Sequence, residues 1–369
     1  MPNSFTRTLF IAALAALFTT THTSADDKPK TPRPRVDVHL YGGDTSDGAP
    51  LADWYRQIGI TDVWLYPLRG AFPQDQRPET QRTADDLIAA KTLKNYRDNS
   101  IRYWWFERPV PDFFYLVGKH KDSPTSHIWG DGPKTDALWA GICRRIREIY
   151  PTARRAGFSG VVYDNESYYS YAGDESGKKK PWVWGGHENQ YGKSGNYYRR
   201  GLQVGRAIHA AWPEAKVIMV YAFGYKGERW WYQGVNDGGA KVLIGPEHTY
   251  GAGQGELGSQ YYHRWWNGRK TKATCDDKRR QFPFATSNRQ VLAGLFPIDF
   301  GTRKPNYHAR YFRAQLASAA SEDPTPIHVW LWPQGPFTPQ SWQSIDYAPG
   351  ESAEDYLKAL REFSSAFAK

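Results

Sequence analysis

Short, almost unbroken apolar runs recur along the chain, each separated from the next by room for a helix. No other feature restricts the fold as much. The runs are VDVHLY (Val36 to Tyr41), TDVWLY (Thr61 to Tyr66), IRYWWF (Ile101 to Phe106), VVY (Val161 to Tyr163), KVIMVY (Lys216 to Tyr221), KVLIG (Lys241 to Gly245), QVLAGLF (Gln290 to Phe296) and IHVWLW (Ile327 to Trp332). A strand with one wet face alternates apolar with polar residues, whereas these are apolar nearly throughout, as parallel strands covered on both faces are. Helical stretches lie between them: Pro50 to Ile58, Thr83 to Tyr96, Thr135 to Ile149, Tyr197 to Trp212, Glu228 to Val235, Tyr307 to Ser321 and a closing Glu351 to Phe367. In the clearest, Thr135 stands ready as cap and Leu138, Ile142, Ile146 and Ile149 share one face. Eight strands alternating with helices predict an α/β chain folded as a single (β/α)8 barrel with long loops at its C-terminal face. An open doubly wound sheet is the other candidate. It often carries a nucleotide loop after its first strand, and Gly42-Gly43 does not continue as GxGxxG.

The barrel is expected to fill residues 36–369. Residues 1–25 read as an export signal: Arg7 supplies a positive start, Leu9 to Phe18 an apolar run, and Thr23-Ser24-Ala25 a small-residue cleavage site. Residues 26–35 read as a polar, proline-containing lead-in. No later segment has the ~18 uninterrupted apolar residues of a membrane span. A secreted or periplasmic protein is the expectation. The sequence carries no signal of oligomeric state.

On a barrel all strand ends meet at one mouth, and that is where chemistry is done. The stretch GFSGVVYDNESY, Gly157 to Tyr168, is the strongest such end. Alternation places Val162, Asp164 and Glu166 on one face, and two carboxylates at the end of a buried strand are costly without a task. The other polar strand ends are Asp44, Glu107, Glu247, His248 and Asp299, with His39, Tyr41, Tyr66, Tyr221, Trp330 and Trp332 around them. Carboxylates ringed by aromatics suit glycoside hydrolysis, which needs a protonated acid for the leaving oxygen and a second carboxylate as nucleophile, base or cation stabiliser. Asp164 is assigned as nucleophile or stabilising carboxylate, Glu166 or Glu247 as acid/base, and the third as its orienting partner. His39, Tyr41, Tyr66, Tyr221, His248, Asp299, Trp330 and Trp332 are assigned to sugar binding. There is no GxSxG elbow, no HExxH and no Cys/His set at zinc spacing, so no metal or cofactor is expected.

Tyr163-Asp164-Asn165 resembles the fourth-strand YDN of melibiase-type α-galactosidases. In that family the Asp is the nucleophile and the acid/base stands at the end of strand six, where this chain has Glu247. The family's Cys after YDN is replaced by Glu166. Asp164-Asn165-Glu166 is also similar to the terminal DxE of chitinase-type enzymes, and Met219-Val220-Tyr221 to their MxY. That resemblance implies Glu166 as general acid and Asp164 as the group that positions an acetamido substituent. The earlier aspartates of the chitinase pattern fall on Ser159 and Val162, and the Asp after MxY is Ala222.

The chain carries 16 Trp, 24 Tyr and 17 Phe, enough both to fill a large core and to line a sugar-binding cleft. Its net charge of +10 is scattered over Lys178–Lys180, Arg199-Arg200, Arg269–Lys272 and Lys278–Arg280. Such scatter fits solvated loops or an anionic glycan as substrate. No nucleic-acid motif accompanies it, so nucleic acid is not an expected partner. Cys143 and Cys275 can form one disulfide after export, or Cys143 can be a buried thiol on its helix. A non-catalytic glycan-binding barrel and a metal-dependent phosphodiesterase barrel are the rival functions.

Overall fold

The computed structural model describes residues 35–39, 49–65, 91–107, 129, 131–164, 191–220, 226–245, 276, 278–286, 290–295, 297–299, 303–305, 308–320, 328–331 and 337–366. The apolar runs form parallel strands: β1 Arg35–His39, β2 Asp62–Leu65, β3 Arg102–Glu107, β4 Gly160–Asp164, β5 Lys216–Val220, β6 Lys241–Gly245 and β7 Ala293–Leu295. Two short strands follow, β8 Ile298–Asp299 and β9 Lys304–Pro305, and then β10 His328–Leu331. The sheet order is β6-β5-β4-β3-β2-β1-β10-β7. Its two outermost strands are joined by a parallel bridge between Ile244 and Val291, where Leu292 N–H donates to the Ile244 carbonyl at 2.7 Å. The sheet is thus curled, with helices against its outer side.

Strict alternation sorts the strand residues into two layers. Trp64, Trp104, Phe106, Val162, Ile218, Val220, Leu243 and Leu292 form a cluster on the inner face. Their neighbours, among them Val63, Trp105, Val161, Val217, Met219 and Ile244, pack outward into the core shared with the helices. Trp104 is fully buried because β4 gives way to it: a Cβ on Gly160 would lie 2.5 Å from the Trp104 ring. The ten largest fully buried side chains are all Trp or Tyr, so among the described residues the aromatic surplus goes heavily into the core.

The helices are α1 Ala49–Gln57, α2 Lys91–Asp98, α3 Pro133–Arg155, α4 Asn196–Ala211, α5 Lys226–Asp237, α6 Ala309–Ala320, α7 Pro339–Gln343 and α8 Ala353–Ala366. In α3 the predicted inward residues Ile142, Ile146 and Ile149 are buried, with Leu138 packed against the core. The helix starts earlier than expected, with Gly132 as N-cap and Pro133 in the first turn, so Thr135 lies inside it. Proline is favoured there because its fixed φ is helical and its missing N–H would be unpaired anyway. After α3, Gly157 adopts φ 86°, a left-handed turn that β-substituted residues resist, and the chain enters β4. Cys143 is a buried free thiol. Cys275 lies outside the described residues.

One strand end departs from the sequence reading. The run Gln290 to Phe296 places Asp299 near the end of the seventh strand; β7 stops at Leu295, and Asp299 pairs antiparallel with Lys304 in the β8–β9 hairpin. Pro297 stands between the two, and a proline cannot donate to a ladder.

Helices α4 and α5 touch backbone to backbone. A Cβ on Gly205 would meet the Val235 carbonyl oxygen at 2.1 Å, and one on Gly234 the Tyr198 carbonyl oxygen at 2.2 Å. Neither neighbour is a flexible side-chain end, so the helices must separate. Gly141 on α3 has nothing within 4 Å of the same position. Gly205→Ala is therefore expected to cost about 1–3 kcal/mol in denaturant unfolding. Gly141→Ala should be neutral or stabilising by up to about 1 kcal/mol. Equal midpoints for the two variants would contradict the close packing of α4 on α5.

Candidate active site

Asp164 is the last residue of β4, 6% exposed, and lies in register with Val220, which is in register with Gly245. These three residues end adjacent strands along one edge of the sheet. Asp164 shares the inward parity of Val162, the face that also carries Phe106, Ile218 and Leu243. The sequence reading of β4 therefore holds as far as β4 extends. Glu166, Glu247, His248, Tyr41, Tyr66, Tyr221 and Trp332 lie outside the described residues, one to three positions beyond the ends of their strands. So does Asp44. For His39 and Trp330 the backbone is placed, His39 ending β1 and Trp330 in register with Asp37.

Glu107 is not at the mouth. It is one position out of phase with the inward residues Trp104 and Phe106, so it faces α3 instead. Its carboxylate accepts from the Tyr150 hydroxyl, from Trp105 Nε1 at 3.1 Å and pairs with Arg145 Nη1 at 3.2 Å. Tyr150 in turn contacts the Tyr163 hydroxyl. Because a carboxylate can only accept, the Tyr150 proton points to Glu107 and Tyr163 donates to Tyr150. Burial is the largest cause holding both tyrosines well above their ordinary pKa, which keeps them as neutral donors. The chain braces the backbone immediately before Asp164 against α3.

Two inward carboxylates escaped the sequence reading. Asp62 is fully buried and accepts from Arg35 Nε at 2.6 Å, Arg102 Nε at 2.9 Å, Trp104 Nε1 at 2.8 Å and Thr61 Oγ1 at 2.7 Å. It opens β2, at the end of the sheet opposite to Asp164, where a paired charge serves stability rather than chemistry. Asp37, in the middle of β1, is also fully buried and accepts from Trp64 Nε1 at 3.1 Å. Burial lifts its pKa to about 7, against the opposing pull of Arg35 and the Trp64 hydrogen bond. The signal was present: VDVHLY and TDVWLY each carry one Asp at the inward parity of an otherwise apolar strand.

No family model matches the chain, and no curated protein matches it by sequence. Solved structures do match it by fold. Endo-glycoceramidase II from Rhodococcus sp., in complex with a cellobiose-like imidazole, is 13% identical over 89% of this chain and 78% of its own, with a TM-score of 0.51. The same enzyme as a lactosyl-enzyme intermediate gives 12% identity, the same coverage and a TM-score of 0.50. A GH18 chitinase from Pseudoalteromonas aurantia is 10% identical over 89% of this chain and 99% of its own, with a TM-score of 0.45. By fold, the chain resembles the endo-glycoceramidase. The parallel sheet with helices outside it is the TIM-barrel-like arrangement these proteins share.

Asp37 makes a pH-dependent contribution with a definite sign. Its folded pKa of about 7 lies above the unfolded value of 3.8, so between those values the folded state keeps a proton that the unfolded state has lost. Stability from this group therefore falls as pH rises from about 4 to about 7, by at most about 4 kcal/mol, and is level above that. Asp37→Asn should remove this slope and raise the melting temperature more at pH 8 than at pH 4. A wild-type to variant difference independent of pH would contradict it.

Proposed function

We propose that the chain is an exported glycoside hydrolase that cleaves a glycan with carboxylates at the C-terminal mouth of a closed (β/α)8 barrel. The observation that carries this reading is Asp164, a nearly buried carboxylate facing inward at the C-terminal edge of β4 in a fold resembling glycoside hydrolases. Closure is supported by the registers. Followed around the sheet from β1 through β6 and β7 to β10, the register offsets return eight residues short of Trp330, the partner of Asp37. A stagger of eight over eight strands is that of the (β/α)8 barrel.

Asp164 acts as nucleophile or as the carboxylate that stabilises the oxocarbenium-like transition state. Glu247, two residues beyond β6 in the sequence, would be the acid/base, with Glu166 as alternative acid or orienting partner. A separation of about 5–5.5 Å between the acting pair would retain the anomeric configuration, and about 6.5–9.5 Å would invert it. His39, Tyr41, Tyr66, Tyr221, His248, Trp330 and Trp332 would surround the sugar ring. The net charge of +10 supports an anionic glycan, uronic or sulfated, as substrate. The apolar leader at residues 1–25 supports export.

Reducing-sugar release from neutral, amino, uronic and sulfated polysaccharides tests the proposal. Wild type should release sugar, and folded Asp164→Asn should lose about a hundredfold or more of that rate. Folded Glu247→Gln should fall similarly. Undiminished release by Asp164→Asn would contradict the assignment. Glycan binding by a wild type that releases nothing would favour the binding-protein reading.

A further inference from the structure

We infer that the cleft between α3 and α4 is a binding site for an organic anion of monosaccharide size, separate from the barrel mouth. The cleft has a volume of about 340 Å³ and lies on the helical layer, outside the sheet. That volume is far more than a bare oxyanion fills and falls at the small end of ligand pockets.

Its lining divides by chemistry. Trp139, Ala140 and Cys143 of α3 form an apolar wall, while Arg147 of α3 and Arg200 and Arg206 of α4 bring three guanidinium groups. Asp136 is the one carboxylate in the lining, and Arg200 Nη2 already holds it at 2.5 Å. Arg200 is itself 3% exposed, so this pair fixes a cation in the wall rather than leaving it to wave in solvent. Arg147 and Arg206 are exposed and form no ion pair among the described residues. Three cations against one carboxylate leave the cleft with an excess of two positive charges. Arginine suits such a site because its planar fork of donors matches carboxylate and sulfate oxygens two at a time.

The ligand class follows from the two kinds of wall. A carboxylate or sulfate ester would meet Arg147 and Arg206, and a ring-shaped body would lie on the apolar side. A uronic acid and a sugar sulfate present the same chemistry, and titration separates them.

Calorimetric titration of the full chain with glucuronate, glucose 6-sulfate, glucose and inorganic sulfate tests the site. Wild type is compared with an Arg147→Ala/Arg206→Ala double variant, whose folding is checked by circular dichroism. These arginines are exposed, so their removal should leave the fold intact. At least one of the two anionic sugars should bind saturably, glucose should not, and the double variant should bind about tenfold or more weakly. Occupancy should also slow alkylation of Cys143, read from its own peptide by mass spectrometry. Equal affinity in wild type and double variant would place any binding elsewhere and overturn the proposal. Binding of inorganic sulfate without either sugar would overturn it too, as would no saturable binding at all. None of these outcomes depends on turnover at the mouth.

Discussion

The inner face of the sheet is packed with large side chains, so every charged group placed there must be satisfied by what the neighbouring strands supply. This constraint orders the whole molecule. At the N-terminal edge Asp62 is surrounded by two arginines, an indole and a hydroxyl, and its burial is tolerated because its lone pairs are taken up. One strand over, Asp37 has an indole hydrogen bond and the more distant help of Arg35, and its carboxyl is driven toward the protonated form. At the C-terminal edge Asp164 ends its strand where the ladder stops, beside Val220 and Gly245. The three carboxylates thus run from one fixed by partners, through one raised by burial, to one that ends its strand at the rim of the sheet.

The same need to fill both faces explains the pairing of very large with very small residues. Trp104 occupies space that β4 leaves by having Gly160 there, and α4 and α5 approach until their backbones touch at Gly201, Gly205, Gly234 and Gly238. Close packing of this kind has little tolerance for an added methyl. It supports the strands from outside, while the Glu107, Tyr150 and Tyr163 chain ties the end of β4 to α3. The geometry at Asp164 therefore rests on interactions well away from it.

Much of the architecture was legible because strands buried on both sides must be written as apolar runs. Seven of the eight predicted strands fall within two residues of the observed ends, and the inward parity of Val162 and Asp164 followed from alternation alone. Alternation was also where the reading failed. Glu107 was counted as a mouth residue by its place at a strand end, but one step of phase turns it toward α3. Asp299 was read as lying near the end of the seventh strand, and beyond Pro297 it pairs in a separate hairpin. Asp37 and Asp62 were passed over because an acidic residue inside an apolar run reads as noise until the arginines and indoles of other strands are brought beside it. Those partners lie 27 to 42 positions away from Asp62 and Asp37, a pairing that register alone creates. The aromatic surplus suggested a sugar cleft, yet among the described residues its largest members fill the core.

The central claim is that the carboxylate ending β4 is a reacting group and not a strand-end support. Chemical rescue tests this most directly. Asp164→Gly is prepared, its folding is confirmed, and turnover of an activated aryl glycoside that wild type cleaves is followed with increasing azide or formate. The account predicts a folded, inactive protein whose activity returns in proportion to the added anion, which enters the space left by the carboxylate. A folded Asp164→Gly protein with wild-type turnover and no response to azide or formate would contradict it.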